Sequence, residues 1–238
     1  KHINLENHRH LYLLHNRLSI VDLTNAGHQP MYDEITGVHL IFNGEIYNFR
    51  EIRRTLETEG FIFKSNTDSE VLLKGYIHWG KDIVQKLNGM FALMIWDSRS
   101  QKMFVARDRF GEKPLYYGTT KYGDIIFSSE IKVILSVPGF ERAIDYEVLD
   151  EFRLGLSSSS RAYLTPFKNI LQVPPATCFD VSSSGEITNS HRFWSAHRVD
   201  WEGHGKVNEK DLYEEFLFLL SKSVKDRANC DVQLGACL

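Results

Sequence analysis

The chain has 238 residues, 42% hydrophobic and 12% aromatic, with 28 Lys and Arg against 31 Asp and Glu for a formal net charge of −3. That composition excludes a disordered chain, and its near balance of charge sets up no global field toward nucleic acid or an anionic membrane. The longest apolar run, Met90 to Trp96, is too short to cross a bilayer.

Cys178, Cys230 and Cys237 form no C-x-x-C pair, and an odd count of three suits a reducing cytoplasm rather than a disulfide framework. Lys1 to His15 lacks the apolar core of a secretory signal. The first residue is not Met and the last eight, Asp231 to Leu238, end on an apolar run, so the sequence reads as a fragment of a longer chain.

In chain order, His10 to Leu14 and Arg17 to Val21 lean toward strand, and Val38 to Phe42 is a strand closed by the turn pair Asn43-Gly44. Phe49, Ile52 and Leu56 recur at helical spacing behind Asn48, a cap answered by Glu51, and Gly60 ends that helix. Phe61 and Phe63 alternate as a short strand. Thr67 and Glu70 form a capping box for a second helix, with Leu72, Tyr76 and Trp79 on one face and Gly80 as its stop. Met90 to Trp96 has the pattern of a strand buried on both faces, with Lys102 to Arg107 its hairpin partner. A second hairpin joins Leu115 to Gly118 with Ile125 to Ser128.

Helices follow at Glu130 to Leu135 and Asp145 to Arg153, and Ser157 to Ser160 is a loop. Cys178 to Val181 and Glu186 to Asn189 are strands. Ser195 to Asn208 is a polar linker. A helix through Leu212, Phe216, Leu219, Leu220 and Val224 then leads into a strand at Val232 to Leu238. The pattern predicts an α+β domain over residues 1–205 and the beginning of an α/β domain over 206–238.

Four segments carry a resemblance. HNRLSIVDL (His15 to Leu23) with AGHQP (Ala26 to Pro30), FNGEIYNF (Phe42 to Phe49), NTDSEVLL (Asn66 to Leu73), and LNGMFALMIWD (Leu87 to Asp97) running into ARDRFGEKPLYYG (Ala106 to Gly118) resemble, in order and spacing, the glutaminase domain of glutamine-hydrolysing asparagine synthetases, a class II glutamine amidotransferase domain. The likeness extends through FSSEIKVIL (Phe127 to Leu135) and TPFKNILQVPP (Thr165 to Pro175), where Ala176 stands in a position that is often glycine. The resemblance implies an N-terminal-nucleophile hydrolase fold, an αββα sandwich of two antiparallel sheets between helix layers. The start of an α/β synthetase domain follows it. VQLGACL (Val232 to Leu238) would precede a Ser-Gly-Gly phosphate loop.

Glutamine amide hydrolysis needs a nucleophile, a base, an oxyanion hole and a clamp for the amino-acid end. The resemblance implies a nucleophilic cysteine at the mature N-terminus with its own α-amine as base. None of the three cysteines fills that position, so the residue is expected upstream of Lys1 and the polypeptide as given is expected to be inactive and poorly soluble. Asn43 and Gly44 match the oxyanion hole. Asn-Gly alone favours a hairpin turn, and Glu45 to Asn48 with the other motifs reverse that preference. Arg17 matches the residue that holds the α-carboxylate through its guanidinium fork. Asp68 matches the acceptor of the α-ammonium, and an acid there also suits a helix start. Glu45 contributes through its backbone, and Leu18, Ser19, Ile20 and Val21 shape the pocket wall.

Arg107, Asp108 and Arg109 form a structural ion-pair network before the Gly111 turn. His8 and His10 lack a third ligand at metal spacing, and His28 and His78 are structural.

By the same resemblance, ammonia passes to a second domain where ATP and Mg²⁺ activate aspartate, and Leu238 touches the nucleotide. The glutaminase domain itself binds no cofactor, and a homodimer in the cytoplasm is admitted. Two rivals remain open: another class II amidotransferase, serving polysaccharide or amino-sugar modification, and a catalytically dead glutamine-binding module. A Ser-Gly-Gly run after Leu238 separates the first, and a Met-Cys-Gly start upstream of Lys1 the second.

Overall fold

The computed structural model describes residues 1–5, 9–18, 20–155, 163–196, 208–228, 230–233 and 235. Its strands are β1 (His2–Asn4), β2 (His10–Tyr12), β3 (Met31–Asp33), β4 (Val38–Ile46), β5 (Gly89–Asp97), β6 (Lys102–Arg107), β7 (Tyr116–Thr119), β8 (Ile125–Ser128), β9 (Ile170–Gln172), β10 (Thr177–Ser182) and β11 (Ile187–Arg192). Its helices are α1 (Phe49–Thr58), α2 (Asp68–Trp79), α3 (Ile83–Lys86), α4 (Ile131–Ser136), α5 (Tyr146–Arg153) and α6 (Glu209–Arg227).

A six-stranded sheet runs in the order β11-β10-β6-β5-β4-β3, a three-stranded sheet runs β8-β7-β9, and β1 pairs with β2. Every pairing is antiparallel. Strand β5 shows why its sequence is continuously apolar. Successive side chains alternate between faces: Phe91, Leu93 and Ile95 enter a core shared with α1 and α2, while Ala92, Met94 and Trp96 enter a core against the smaller sheet. Phe49, Ile52 and Leu56 of α1 and Leu72 and Tyr76 of α2 cover the first face. On the outer face of the small sheet, Ile134 of α4 packs on Ile170. Helices, sheet, sheet and helix are the four layers of the expected αββα sandwich. No helix among the described residues is long and apolar enough to cross a membrane.

Local expectations fare unevenly. Thr67 caps α2 by accepting the Glu70 N–H at 3.1 Å, and Gly80, with φ +60°, ends it. The reciprocal half of that box is absent, because the Glu70 carboxylate takes the Lys64 and Ser65 amides and the Ser65 hydroxyl instead. Asn48 precedes α1 without capping it. Its side chain donates to the Lys86 carbonyl and accepts the Asn88 N–H, tying the start of α1 to the entry of β5.

Arg17, Leu18, Ile20 and Val21 form no strand, since the carbonyls of Ile20 and Val21 are taken by the Asp231 N–H and the Arg17 guanidinium. Phe61 and Phe63 are also irregular, packing their rings on the helix-side core without a ladder. Of the strand expected at Val232 to Leu238, Val232, Gln233 and Gly235 pair with no strand among the described residues, and the other positions lie outside them. Ser157 to Ser160 and most of the Ser195 to Asn208 linker lie outside the described residues.

Ala176 follows Pro175 in the left-handed region, φ +55°, fully buried. That conformation costs an L-residue about 1–2 kcal/mol. The buried methyl contributes about 0.8 kcal/mol, and glycine adds about 0.4–1 kcal/mol of unfolded-state freedom. The opposing contributions nearly cancel, so Ala176→Gly is expected to shift stability by less than about 1 kcal/mol. Ala176→Val, β-branched in that region, is expected to cost more, and urea unfolding of the three proteins compares them.

Candidate active site

Strand β3 pairs only with Val38 to Leu40, so the second half of β4 has an edge without a neighbouring strand. Alternate residues of an antiparallel strand point their N–H and C=O groups to opposite sides. Tyr47 donates to the Asn88 carbonyl at 2.8 Å, toward the β5 side. Phe91, opposite Gly44, donates its N–H to the Asp108 carboxylate and accepts the Asp108 N–H at its carbonyl, on the side of β6. Phe42, Gly44 and Ile46 therefore face the open edge.

Side chains stand in for a strand there. Gln29 Oε1 accepts the Phe42 N–H at 2.6 Å, and Gln29 Nε2 donates to the Phe42 carbonyl at 3.0 Å. His15 Nε2 shares that carbonyl at 3.0 Å, and burial lowers its pKa against the opposing effect of this bond. Asp68 Oδ2 accepts the Ile46 N–H at 3.0 Å. Between these two closed positions, the alternation leaves the Gly44 N–H with no protein partner among the described residues.

Asn43 and Gly44 are thus not a hairpin turn but the middle of β4. Gly44 has φ +157°, and a Cβ there would run into the Met90 carbonyl oxygen of β5, so glycine is required by close approach of two backbones. The Asn43 amide is half-buried and makes no hydrogen bond among the described residues. A backbone N–H and a neighbouring carboxamide, both unengaged, are the parts of an oxyanion hole.

The carboxylates sit next to these donors. Asp68, the first residue of α2, is 8% exposed. Burial raises its pKa above the usual carboxylate range, against the effect of its Ile46 and Ser69 hydrogen bonds. Glu45 is also raised, first by burial and then by the charge of Asp68, with Lys113 opposing. Neither carboxylate belongs to an ion pair among the described residues. A desolvated carboxylate without a cation is a site for a cationic ligand.

Lys113 is carried by a loop that Arg107 and Asp108 hold. Arg107 donates to the carbonyls of Gly111, Lys113 and Val173 at 2.5–2.7 Å, and Asp108 accepts the amides of Phe91, Phe110, Glu112 and Lys113. Both side chains hold this turn through charge-assisted bonds to its backbone. Arg109 instead lies over the Trp194 ring.

Arg17 is placed differently from expectation. Its Nη2 donates to the Val21 and Asp22 carbonyls at 2.8 and 2.6 Å, and its Nη1 to the Thr24 carbonyl at 3.0 Å. Both Nη2 protons are engaged, so this arrangement presents no two-pronged fork to a carboxylate. Ile20 and Val21 are half-buried, and Leu18 is 85% exposed rather than part of a wall. Ser19 and Leu238 lie outside the described residues.

Two thiols lie among the described residues. Cys178 lies on β10, three strands from β4 and so about 14 Å away, and burial pushes its thiol up to about 11. Cys230 is half-buried and donates to the Val232 carbonyl. Cys237 lies outside the described residues, as does His8. His10 meets His2 at 3.1 Å, and no cluster of three metal-ligating side chains occurs among the described residues. His78 packs edge-on against Phe61 and Trp79, a structural role. Gln29 and His15 were not assigned from sequence. Their signal was membership of the HNRLSIVDL and AGHQP segments that carry the resemblance.

The family described as "Glutamine amidotransferase domain" matches residues 2–194. Among curated proteins, the chain is 38% identical over 203 residues to asparagine synthetase [glutamine-hydrolyzing] 3 of Bacillus subtilis, covering 84% of this chain and 32% of that protein. It is 35% identical over 222 residues to asparagine synthetase [glutamine-hydrolyzing] 1 of the same organism, covering 93% and 34%. It is 31% identical over 233 residues to amidase chry2 of Gibberella zeae, covering 98% and 33%. The chain spans about a third of the length of these relatives. Among solved structures it resembles the glutamine PRPP amidotransferase of B. subtilis complexed with ADP and GMP, with a TM-score of 0.50 at 22% identity over 71% of this chain and 32% of that one, a likeness of fold.

Proposed function

This chain belongs to the glutamine amidotransferase domain family, and from that premise we propose that it binds glutamine and supports hydrolysis of the side-chain amide. The ammonia is delivered to an ATP-dependent synthesis of asparagine from aspartate. The observation that carries this reading is the Gly44 N–H on the edge of β4, which like the neighbouring Asn43 amide has no partner among the described residues, beside the buried Asp68 carboxylate.

In this reading the glutamine α-ammonium sits on Asp68. A thiolate attacks the amide carbon, and the oxygen takes up negative charge between Gly44 N–H and the Asn43 amide. The α-amine that the resemblance implies as base takes the thiol proton and passes it to the departing nitrogen, so the C–N bond breaks and ammonia leaves. Water then cleaves the thioester to glutamate. The attacking thiolate is the N-terminal cysteine implied by the resemblance, since Cys178 is remote and holds its proton tightly. ATP and Mg²⁺ belong to the acceptor half-reaction, where they would activate the aspartate carboxylate, and no step is routed through them. The relative named amidase chry2, matched over 98% of this chain, carries a name other than asparagine synthetase, and so a second acceptor class is kept as the alternative.

The test is to incubate the protein as its gene encodes it with glutamine and measure glutamate and ammonia. ATP, Mg²⁺ and aspartate are then added and asparagine is measured. Glutamate release with asparagine formation is expected. Glutamate without asparagine moves the acceptor to the second class, and no glutamate release overturns the reading.

A further inference from the structure

The segment that follows α6 reaches back to the loop carrying Arg17. Asp231 donates its N–H to the Ile20 carbonyl at 2.9 Å, and its carboxylate Oδ2 accepts the Asp22 N–H at 2.8 Å. At the end of α6, the Arg227 guanidinium lies 4.6 Å from the centre of the Tyr47 ring, one residue past β4. The last residue of α6 and the segment after it therefore each reach the surroundings of the candidate site, although α6 buries no residue.

Asp22 is the point of convergence. It adopts φ +53°, a left-handed conformation unfavourable for a residue with a Cβ. Every polar group it has is engaged. Its N–H goes to Asp231, and its carbonyl accepts Arg17 Nη2 at 2.6 Å. Its Oδ1 accepts the Thr24 N–H and hydroxyl, and its Oδ2 accepts the Asn66 N–H at 2.9 Å, two residues before Asp68. The same loop conformation aims the carbonyls of Val21, Asp22 and Thr24 at the Arg17 guanidinium and occupies its fork.

The geometry points to a strap: Asp231, near the Arg227–Tyr47 contact in sequence, holds the Arg17 loop in a form whose guanidinium is closed by its own backbone, and Asp231 is the positioning residue that fixes it. This rests on the glutamine reading of the site. A ligand carboxylate that needs the fork must displace those carbonyls, so whatever stabilises the closed loop weakens binding by the same factor. Displacement of α6 from the site would withdraw Asp231 and free Arg17. The helix thereby reports to the glutamine clamp without touching the reacting atoms.

The experiment compares wild type, Asp231→Ala and Asp231→Asn in the protein as its gene encodes it. The alanine variant loses the acceptor for the Asp22 N–H, and the asparagine variant keeps one. Loss of one such bond predicts a KM for glutamine lowered about three- to tenfold in D231A, with kcat within about twofold and D231N close to wild type. Hydrogen exchange is expected to quicken at amides of residues 20–24 in D231A and to stay unchanged in α2. An unchanged or raised KM in D231A with unchanged exchange overturns the strap. If wild type neither binds nor hydrolyses glutamine, the glutamine reading fails, and exchange at residues 20–24 alone then decides whether Asp231 holds the loop.

Discussion

Asn43→Ala is expected to lower kcat for glutamine hydrolysis by roughly a hundred- to a thousandfold while shifting fold stability by less than about 0.5 kcal/mol. The two halves of that expectation come from one observation. The Asn43 amide makes no hydrogen bond to the described protein, so its removal leaves no buried group unsatisfied. What is lost is a donor needed only when charge develops on the amide oxygen. Such a loss lowers kcat and kcat/KM together and leaves KM nearly constant.

Gly44→Ala separates the same site from its scaffold. Its Cβ meets backbone of β5, which cannot swing aside, so this variant is expected to lose stability as well as turnover. Steady-state kinetics and urea unfolding of both variants make the comparison. A kcat for Asn43→Ala within tenfold of wild type would remove Asn43 from the oxyanion hole.

The contrast between these neighbours shows what the sequence made legible. The run Met90 to Trp96 read correctly as a doubly buried strand because both of its faces are apolar, a property each residue carries on its own. Thr67 read correctly as a cap because its partner, the Glu70 N–H, is three residues away. Asn43-Gly44 misled because an Asn-Gly pair signals reversal only where nothing else pairs with the chain. Here Gln29, 13 residues before Phe42, and Asp68, from α2, satisfy the backbone on either side of Gly44, and the strand runs on to Ile46.

Site residues followed the same division. Asn43, Gly44, Glu45 and Asp68, assigned through the resemblance, come together at one end of β4. The state of Arg17 was not legible, because its fork is closed by carbonyls whose direction depends on the Asp22 backbone, and Asp22 is held by Asp231, 209 residues away. No local pattern encodes a contact of that separation.

Asp68→Asn is expected to move function and stability in opposite directions. The variant retains a carbonyl oxygen for the Ile46 N–H, so the end of β4 stays closed, but it has no charge for an α-ammonium. Removing one partner of a buried charge pair typically costs about 2–5 kcal/mol, and glutamine affinity is expected to fall at least roughly thirtyfold. Stability should rise, because the unliganded protein holds a carboxylate that burial disfavours.

The pH dependence fixes the sign. The folded-state pKa of Asp68 lies above the unfolded value near ~3.9. Below the unfolded value the carboxyl is neutral in both states and carries no penalty, and above the folded value the penalty is complete. The melting temperature of D68N should therefore match wild type in acid and exceed it increasingly as pH rises through the folded pKa. Wild-type glutamine binding should weaken over the same window as pH falls, as Asp68 takes up a proton. Calorimetric melting and glutamine titration across that range test both halves. A D68N protein less stable than wild type at neutral pH would mean that Asp68 already has a cationic partner in the unliganded protein, and that the ammonium site is elsewhere.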